Sequence, residues 1–226
     1  MSGVGLFGGT FDPIHYGHLR AAEEAYHALS LKKVIFLPTA IPPHKRRPDL
    51  IPFELRLEMV RLAVKDISYF KVSDLEARLP SPSYSVRTLE ALREENDGQE
   101  IFFILGLDAF LELETWYCYE RLPTLAHLVV VTRGEGGQEA FLNKIRELFP
   151  VVRQEGDVFR FPGGYTLRYL PILRLDISST YLRKLVREGG SIRFLLPERV
   201  RKFVLEKGLY RVDASGATKD CGKSPE

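Results

Sequence analysis

Two histidines stand three residues apart, at His15 and His18, in a glycine-rich stretch whose residue types suit phosphate binding. Gly8 and Gly9 let a backbone come close to a bound group, and Pro13 stiffens the turn. If a helix begins between the histidines, both rings can donate to one phosphate beside the free N–H groups of the helix. A lone histidine is more often an ordinary loop residue, but this combination predicts an anion site.

A second stretch, Ile177 to Arg183, reads ISSTYLR and precedes a helical pattern. Its hydroxyls can cap that helix and can also hydrogen-bond phosphate oxygens, and Arg183 adds a two-pronged donor. Taken alone, the stretch would be interpreted as an ordinary serine or threonine cap followed by a surface arginine.

The elements that must position these residues alternate between β-rich and helical patterns. Apolar runs typical of buried strands are separated by amphipathic segments, which predicts an α/β fold with a doubly wound, mostly parallel sheet and C-terminal helices. The first strand covers 4–8 and the first helix 17–29, so the glycine-rich stretch falls at the carboxyl edge of the sheet, where open α/β folds bind ligands. Further strands are predicted at 33–37, 69–73, 100–105 and 127–132, with one or two in 158–170, and helices at 53–64, 85–95, 138–149, 179–187 and 197–207.

Composition excludes several classes of protein. The chain has 226 residues and a formal net charge of +2, so no charge excess argues for nucleic acid or a membrane surface as a partner. Its two cysteines, Cys118 and Cys221, lack metal-site or disulfide-framework spacing, which fits a reducing cytoplasm. We expect one domain over 1–212 and a disordered tail over 213–226.

Two familiar phosphate-binding strings fail on context. The GxGxxG string at 3–8 lies inside the predicted strand, whereas a dinucleotide fingerprint needs those glycines in the turn that opens a helix. Gly222-Lys223-Ser224 resembles the end of a P-loop but has Ala217 where the first glycine belongs.

His15-Tyr16-Gly17-His18 and the 177–183 stretch together resemble the HxGH and ISSTxxR motifs of the nucleotidylyltransferase superfamily. Three more stretches, at 41–45, 82–89 and 106–116, are similar to those of bacterial nicotinate-nucleotide adenylyltransferases. The resemblance runs from about residue 4 to residue 210, nearly the whole chain.

This resemblance implies a Rossmann-like nucleotidylyltransferase fold and transfer of AMP from ATP to nicotinate mononucleotide. The products would be nicotinate adenine dinucleotide and pyrophosphate, on the route to NAD. Because the attacking phosphate is already largely ionised near neutral pH, the reaction requires no general base. It requires alignment and charge neutralisation, with Mg²⁺ held mainly by phosphate oxygens and water, and no metal ligand is expected from protein side chains.

The resemblance also assigns roles residue by residue. His15, His18, Lys45 and Arg183 would be catalytic, and Lys45 would also reach the mononucleotide, as would Tyr84, Thr88 and the pyridine-stacking Trp116. The remaining residues would bind ATP, together with His18 and Arg183: Gly8, Gly9, Thr10, Phe11, Gly106, Asp108, Ile177, Ser178, Ser179 and Thr180.

Other activities stay open at this point. A nicotinamide-mononucleotide or dual-specificity adenylyltransferase is the nearest alternative, followed by phosphopantetheine adenylyltransferases and cytidylyltransferases. A catalytically silent nucleotide-binding module would bind ATP without releasing pyrophosphate. A homo-oligomer is compatible with the sequence, which does not specify one.

Overall fold

In a computed structural model the chain forms one eight-stranded sheet, and the structure describes residues 3–42, 49–95, 98–133, 137–150 and 152–211. The predicted tail, 213–226, lies outside these ranges, as does the P-loop-like string. The strands are β1 (Val4–Gly9), β2 (Lys33–Pro38), β3 (Phe70–Val72), β4 (Ile101–Gly106), β5 (His127–Arg133), β6 (Arg153–Glu155), β7 (Val158–Arg160) and β8 (Thr166–Ile172).

Helices cover both faces of this sheet. They are α1 (Tyr16–Ala28), α2 (Phe53–Val64), α3 (Leu75–Arg78), α4 (Ser85–Glu95), α5 (Leu107–Leu111), α6 (Gln138–Leu148), α7 (Ser179–Arg187) and α8 (Glu198–Glu206), with short 3₁₀ turns at Leu113–Thr115 and Tyr119–Thr124. Within the described ranges no helix is both long and apolar enough to cross a membrane.

The strand order is β3-β2-β1-β4-β5-β8-β7-β6, and the first six strands in that order pair in parallel. From β1 the chain winds outward to β2 and β3, and from β4 it winds the other way to β5 and β8. The winding direction therefore reverses between β1 and β4, and a crevice opens over their carboxyl ends.

Alternate residues of the central strands point to opposite faces, and each face buries its own core. On one face Phe7, Phe36 and Ile104 pack with residues of α1, α2, α7 and α8. On the other face Leu6 and Phe103 pack with residues of α4, α5 and α6. Because both faces are covered, the strands read as continuous apolar runs in the sequence.

The predicted order of elements is confirmed. The bounds of α2, α4 and α7 match their predictions, and most of the other predicted elements differ by one or two residues at an end. The 158–170 region divides into β7 and β8, and an additional strand, β6, pairs antiparallel with β7. Sequence patterns missed β6, α3 and α5, which are too short to show a period.

Candidate functional site

An open cleft of about 380 Å³ lies over the carboxyl ends of β1 and β4. Gly8, Gly9 and Thr10 form its wall on the β1 side, and Gly106 and Asp108 form its wall on the β4 side. Asp108 is in the first turn of α5, whose N-cap is Gly106. The point where the sheet winding reverses thus holds a ligand-sized space bordered by backbone and by the exposed carboxylates of Asp108 and Glu112.

Beside the cleft, the loop after β1 leads into α1, with His15 at the N-cap position. The rings of His15 and His18 stack, with their centroids 3.8 Å apart. The backbone N–H of His15 donates to Nδ1 of His18 at 3.3 Å. Because a backbone N–H can only donate, Nδ1 of His18 accepts, and the proton of a neutral His18 ring sits on Nε2, where it can be donated to an anion.

The amino terminus of α7 lies against the amino terminus of α1. Ser179 donates its hydroxyl to the carbonyl of Pro13 at 2.9 Å. A Cβ on Gly17 would come within 3.0 Å of the His15 ring and 3.4 Å of the Ile177 carbonyl, so any larger residue here would have to displace the His15 ring slightly. Two positive helix ends therefore meet near one loop, and together they favour a polyphosphate over a single small anion.

Arg183 sits behind this junction and is buried. Its Nη1 donates to the carbonyl of Asp12 at 2.7 Å and lies 3.7 Å from the Asp12 carboxylate. Its Nη2 donates to the Thr180 hydroxyl at 3.2 Å. The guanidinium thus contacts the β1–α1 loop and the first turn of its own helix, α7. Its contact with an ATP phosphate stays a prediction.

A second buried arginine, Arg56 of α2, was not singled out by the sequence analysis. Only 1% of it is exposed, and its Nη1 donates to the carbonyls of Thr10 at 2.9 Å and Thr39 at 2.7 Å. Its Nη2 donates to Ala40 at 3.1 Å. Burial lowers the pKa of the guanidinium from its ordinary value. The arginine clamps the β1 loop to the segment after β2. In the sequence, only its spacing of three residues from the apolar Met59 indicated that Arg56 lies on the buried face of α2.

Aromatic residues line the part of the cleft distant from the histidines. Trp116 borders the cleft and meets the Phe103 ring edge-on at a centroid distance of 6.4 Å. Tyr84 stacks on Tyr117 at 4.5 Å, and the guanidinium of Arg87 lies 5.2 Å from the Tyr84 ring centroid. This wall suits a flat ring, because aromatic faces stack, and the Arg87 guanidinium supports it by packing on Tyr84.

Glu76 closes the floor of the aromatic end of the cleft. This buried carboxylate accepts from the backbone N–H of Ala40 at 3.2 Å and from the Thr88 hydroxyl at 3.3 Å. Burial raises its pKa, and hydrogen bonds from Ser83, Ala40 and Thr88 oppose the rise. Thr88 itself is 2% exposed, so the structure places it in the wall as a partner of Glu76.

The sequence-predicted residues fall into two adjoining groups. Phe11 is 2% exposed and packs edge-on against His18, with ring centroids 5.2 Å apart, so it supports the histidine from the core side. Lys45 lies outside the described residues. The cleft collects Gly8, Gly9, Thr10, Tyr84, Thr88, Gly106, Asp108 and Trp116, and the junction of α1 and α7 collects His15, His18, Ile177, Ser178, Ser179, Thr180 and Arg183.

The described part of the chain contains no group of three or more His, Cys, Asp or Glu side chains arranged to hold a metal ion. Oxygen donors do border the cleft, among them the Asp108 carboxylate and the Thr10 hydroxyl. Oxygen ligands are those that Mg²⁺ prefers, so a cation carried in on phosphate oxygens would find compatible neighbours here.

Comparison with known proteins places this chain among nucleotide-transferring enzymes. The family model for cytidylyltransferase-like proteins matches residues 6–185. A "probable nicotinate-nucleotide adenylyltransferase" of Geobacter metallireducens is 43% identical over 217 residues, covering 93% of this chain and 99% of the relative. Another protein of that name, from Desulfatibacillum aliphaticivorans, is 44% identical over 215 residues, with 92% and 99% covered.

Solved structures resemble the fold at lower sequence identity. The nicotinic acid mononucleotide adenylyltransferase of Plasmodium falciparum, complexed with NaAD, superposes with a TM-score of 0.72 at 19% identity, covering 93% of this chain and 98% of that one. The structure of a "putative nicotinate-nucleotide adenylyltransferase" from Vibrio parahaemolyticus superposes with a TM-score of 0.61 at 22% identity, covering 93% of this chain and 96% of that one.

Proposed function

The chain belongs to the nicotinate-nucleotide adenylyltransferases within the cytidylyltransferase-like family, and on that premise we propose the reaction that it catalyses. It transfers AMP from ATP to nicotinate mononucleotide, giving nicotinate adenine dinucleotide and pyrophosphate, a step in NAD biosynthesis. The phosphate of the mononucleotide attacks the α-phosphorus of ATP, the new P–O–P bond forms, and the bond to pyrophosphate breaks.

One observation carries this proposal: two helix amino termini and the His18 Nε2 donor meet beside a cleft whose far end is aromatic. A polyphosphate fits the first feature, and a nucleotide with a flat ring fits the second. Adenylyl transfer to a pyridine mononucleotide brings both groups together, with the reacting phosphates between them.

Charge stabilisation is the main chemical task of this site. Negative charge grows on the leaving pyrophosphate and on the α-phosphate oxygens in the transition state, and preorganised donors stabilise it. His18 would donate through Nε2, because its Nδ1 is engaged by the His15 backbone. Stacking of the two rings at 3.8 Å fixes the direction of that donor, with His15 serving as the buried platform.

The α7 end of the site would hold the β- and γ-phosphates. Free N–H groups at the start of α7 and the Thr180 hydroxyl lie at this end, while the Ser178 hydroxyl also accepts from the N–H of Tyr181 as a helix cap. Mg²⁺ would be held mainly by phosphate oxygens and water and would add positive charge to the phosphates. Asp108, whose carboxylate borders the cleft, would accept hydrogen bonds from water on the cation.

The aromatic end would hold the acceptor. Trp116 would stack on the pyridine ring, and the Tyr84 segment would border the ribose phosphate side of the cleft. Lys45 stays a proposed phosphate contact that follows from the family resemblance.

We also propose a cytoplasmic location, which agrees with Cys118 being a free thiol. A homo-oligomer stays a prediction, which size-exclusion chromatography would test.

The test is pyrophosphate release from ATP and Mg²⁺ with three acceptors in parallel: nicotinate mononucleotide, nicotinamide mononucleotide and phosphopantetheine. We expect release with nicotinate mononucleotide at the highest kcat/KM, since only this acceptor matches the family's substrate. Equal use of both pyridine nucleotides would replace the proposal by dual specificity. Release with phosphopantetheine alone, or ATP binding without any release, would refute it.

A further inference from the structure

The loop between β1 and α1 is held in a conformation that isolated residues avoid. Phe11 has a φ of +49°, in the left-handed region, and its side chain is buried. A bulky residue keeps such a conformation only when the surroundings determine it, at a free-energy cost of about 1–3 kcal/mol. What fixes this loop therefore bears on His15 and His18, which follow Phe11 by four and seven residues.

The next residue, Asp12, is the point at which the loop is held. Its carboxylate is 1% exposed, and Oδ1 accepts a hydrogen bond from the Tyr210 hydroxyl at 2.8 Å. The guanidinium of Arg183 donates a hydrogen bond to the backbone carbonyl of Asp12 and lies 3.7 Å from Oδ2 of the Asp12 carboxylate. Both the backbone and the side chain of Asp12 are thus held from the carboxyl-terminal part of the chain.

Tyr210 follows α8 and is itself fixed in place. Its φ is +64°, and the residue is 8% exposed. Its neighbour Leu209 is buried in the core, and the Leu209 N–H donates to the carbonyl of Val204 in α8. Burial and the adjacent Asp12 carboxylate raise the pKa of the phenol well above its ordinary value, so the hydroxyl keeps its proton and stays a donor.

From these contacts we propose that Tyr210 is a positioning residue for adenylyl transfer. Through Asp12 it fixes the course of the chain from Thr10 to His15, and with it the His15 N–H that orients the His18 ring. Arg183 completes this brace from α7. The inference rests on the proposed function. It adds that the histidine loop depends on a hydrogen bond from a tyrosine almost 200 residues further along the sequence.

The test compares two tyrosine-to-phenylalanine variants that lose the same atom. Tyr210→Phe removes the hydrogen bond to Asp12. Tyr69→Phe is the matched control, because the Tyr69 hydroxyl donates at 2.9 Å to a carboxylate of α1, that of Glu23, which does not belong to the loop. The measurements are kcat, the KM for each substrate, the melting temperature, and hydrogen exchange of a peptide covering 8–18.

We expect both variants to melt at lower temperature, because each leaves a carboxylate without one donor. Only Tyr210→Phe should lower kcat, by about tenfold, because misplacement of a catalytic donor by a fraction of an ångström weakens transition-state contacts. Its KM for the mononucleotide should stay within about twofold, since the aromatic end of the cleft is untouched. Exchange in the 8–18 peptide should accelerate in Tyr210→Phe and stay unchanged in Tyr69→Phe.

A lower melting temperature of Tyr210→Phe with unchanged kcat and unchanged 8–18 exchange would overturn the proposal and leave the tyrosine with a purely structural role. If that variant does not fold, the double variant Asp12→Asn/Tyr210→Phe takes its place, because it removes the same hydrogen bond without leaving a buried carboxylate short of a donor. Normal kcat and exchange in it would equally overturn the brace. Exchange reports on the loop without turnover. If the 8–18 peptide exchanges faster in Tyr210→Phe but the wild-type protein releases no pyrophosphate, the proposed function is refuted and the brace is kept.

Discussion

The two ring nitrogens of His18 have different tasks in this site, and replacement of the residue separates them. Nδ1 accepts from the His15 backbone at 3.3 Å and so caps α1, whereas Nε2 is the donor assigned to phosphate. In His18→Ala both functions are lost. In His18→Asn the side-chain oxygen can replace Nδ1 as the cap acceptor, but the shorter side chain does not reach the position of Nε2.

The expected loss follows from how firmly the ring is held. Stacking on His15 at 3.8 Å and edge contact with Phe11 at 5.2 Å fix the donor before substrate arrives, so little reorganisation precedes the reaction. Removal of one preorganised donor to a developing oxyanion lowers kcat by about 10²–10³-fold, or about 2.7–4 kcal/mol. The cap contributes about 1 kcal/mol to stability, and it should be lost only in His18→Ala.

Steady-state pyrophosphate release at saturating ATP and mononucleotide measures kcat, and thermal unfolding measures the cap. We expect both variants to lose kcat equally while the mononucleotide KM stays near that of the wild type, because the donor acts in the transition state. Both variants lose the ring contacts with His15 and Phe11 and should melt at lower temperature, and His18→Ala should melt lowest because it also loses the cap. Near-normal turnover in His18→Asn would refute the assignment of Nε2 and leave the residue with a capping role.

Three further predictions concern the cleft wall, the amino end of the interior strand β5 and the buried arginine. Trp116→Ala should raise the mononucleotide KM by up to about tenfold, with the ATP KM unchanged and partial rescue by Trp116→Phe, since stacking supplies about 0.5–1.5 kcal/mol; equal KM values would show that the ring stacks elsewhere. Burial lowers the pKa of His127 below 6.5, and its Nδ1 accepts from the Thr166 N–H. The unfolded chain therefore binds the proton of His127 more tightly than the folded chain, and the free energy of unfolding falls as pH drops below about 6.5. In His127→Gln the difference in melting temperature between a pH of about 7.5 and about 5.5 should be smaller than in the wild type; an unchanged difference would contradict this. Arg56→Met should lower the melting temperature by more than about 5 °C, because the Thr10 carbonyl and others lose their buried donor; a small change in thermal unfolding would mean that other donors replace it.

Sequence patterns predicted the scaffold well because the central strands and long helices carry strong local signals. The runs at β4 and β5 are apolar throughout, and α2 and α7 begin at recognisable boundaries, Pro52 before Phe53 and Ser178 before Ser179. Short elements such as α3, with four residues, contain too little sequence for a period, so they emerged only with the fold.

The candidate site was predicted in part for the same reason. Residues next to one another in the chain, such as His15 and His18, show their spacing directly, and the glycines beside them indicate a close approach of backbone. The buried charges Arg56, Glu76 and Asp12 were not anticipated as structural partners, because in a sequence a charged residue is expected at the surface unless its partners are known.

By itself the sequence determined the parallel α/β architecture, the loop that carries the histidine pair and the family to which the chain belongs. Tertiary structure alone decided that Arg183 faces the loop, that Tyr210 bonds to Asp12 across 198 positions of sequence, and that Arg56 joins the ends of two strands. The physical reason is that apolar periodicity and turn chemistry act between near neighbours. A buried hydrogen bond depends instead on which distant groups the completed core brings to within about 3 Å of each other.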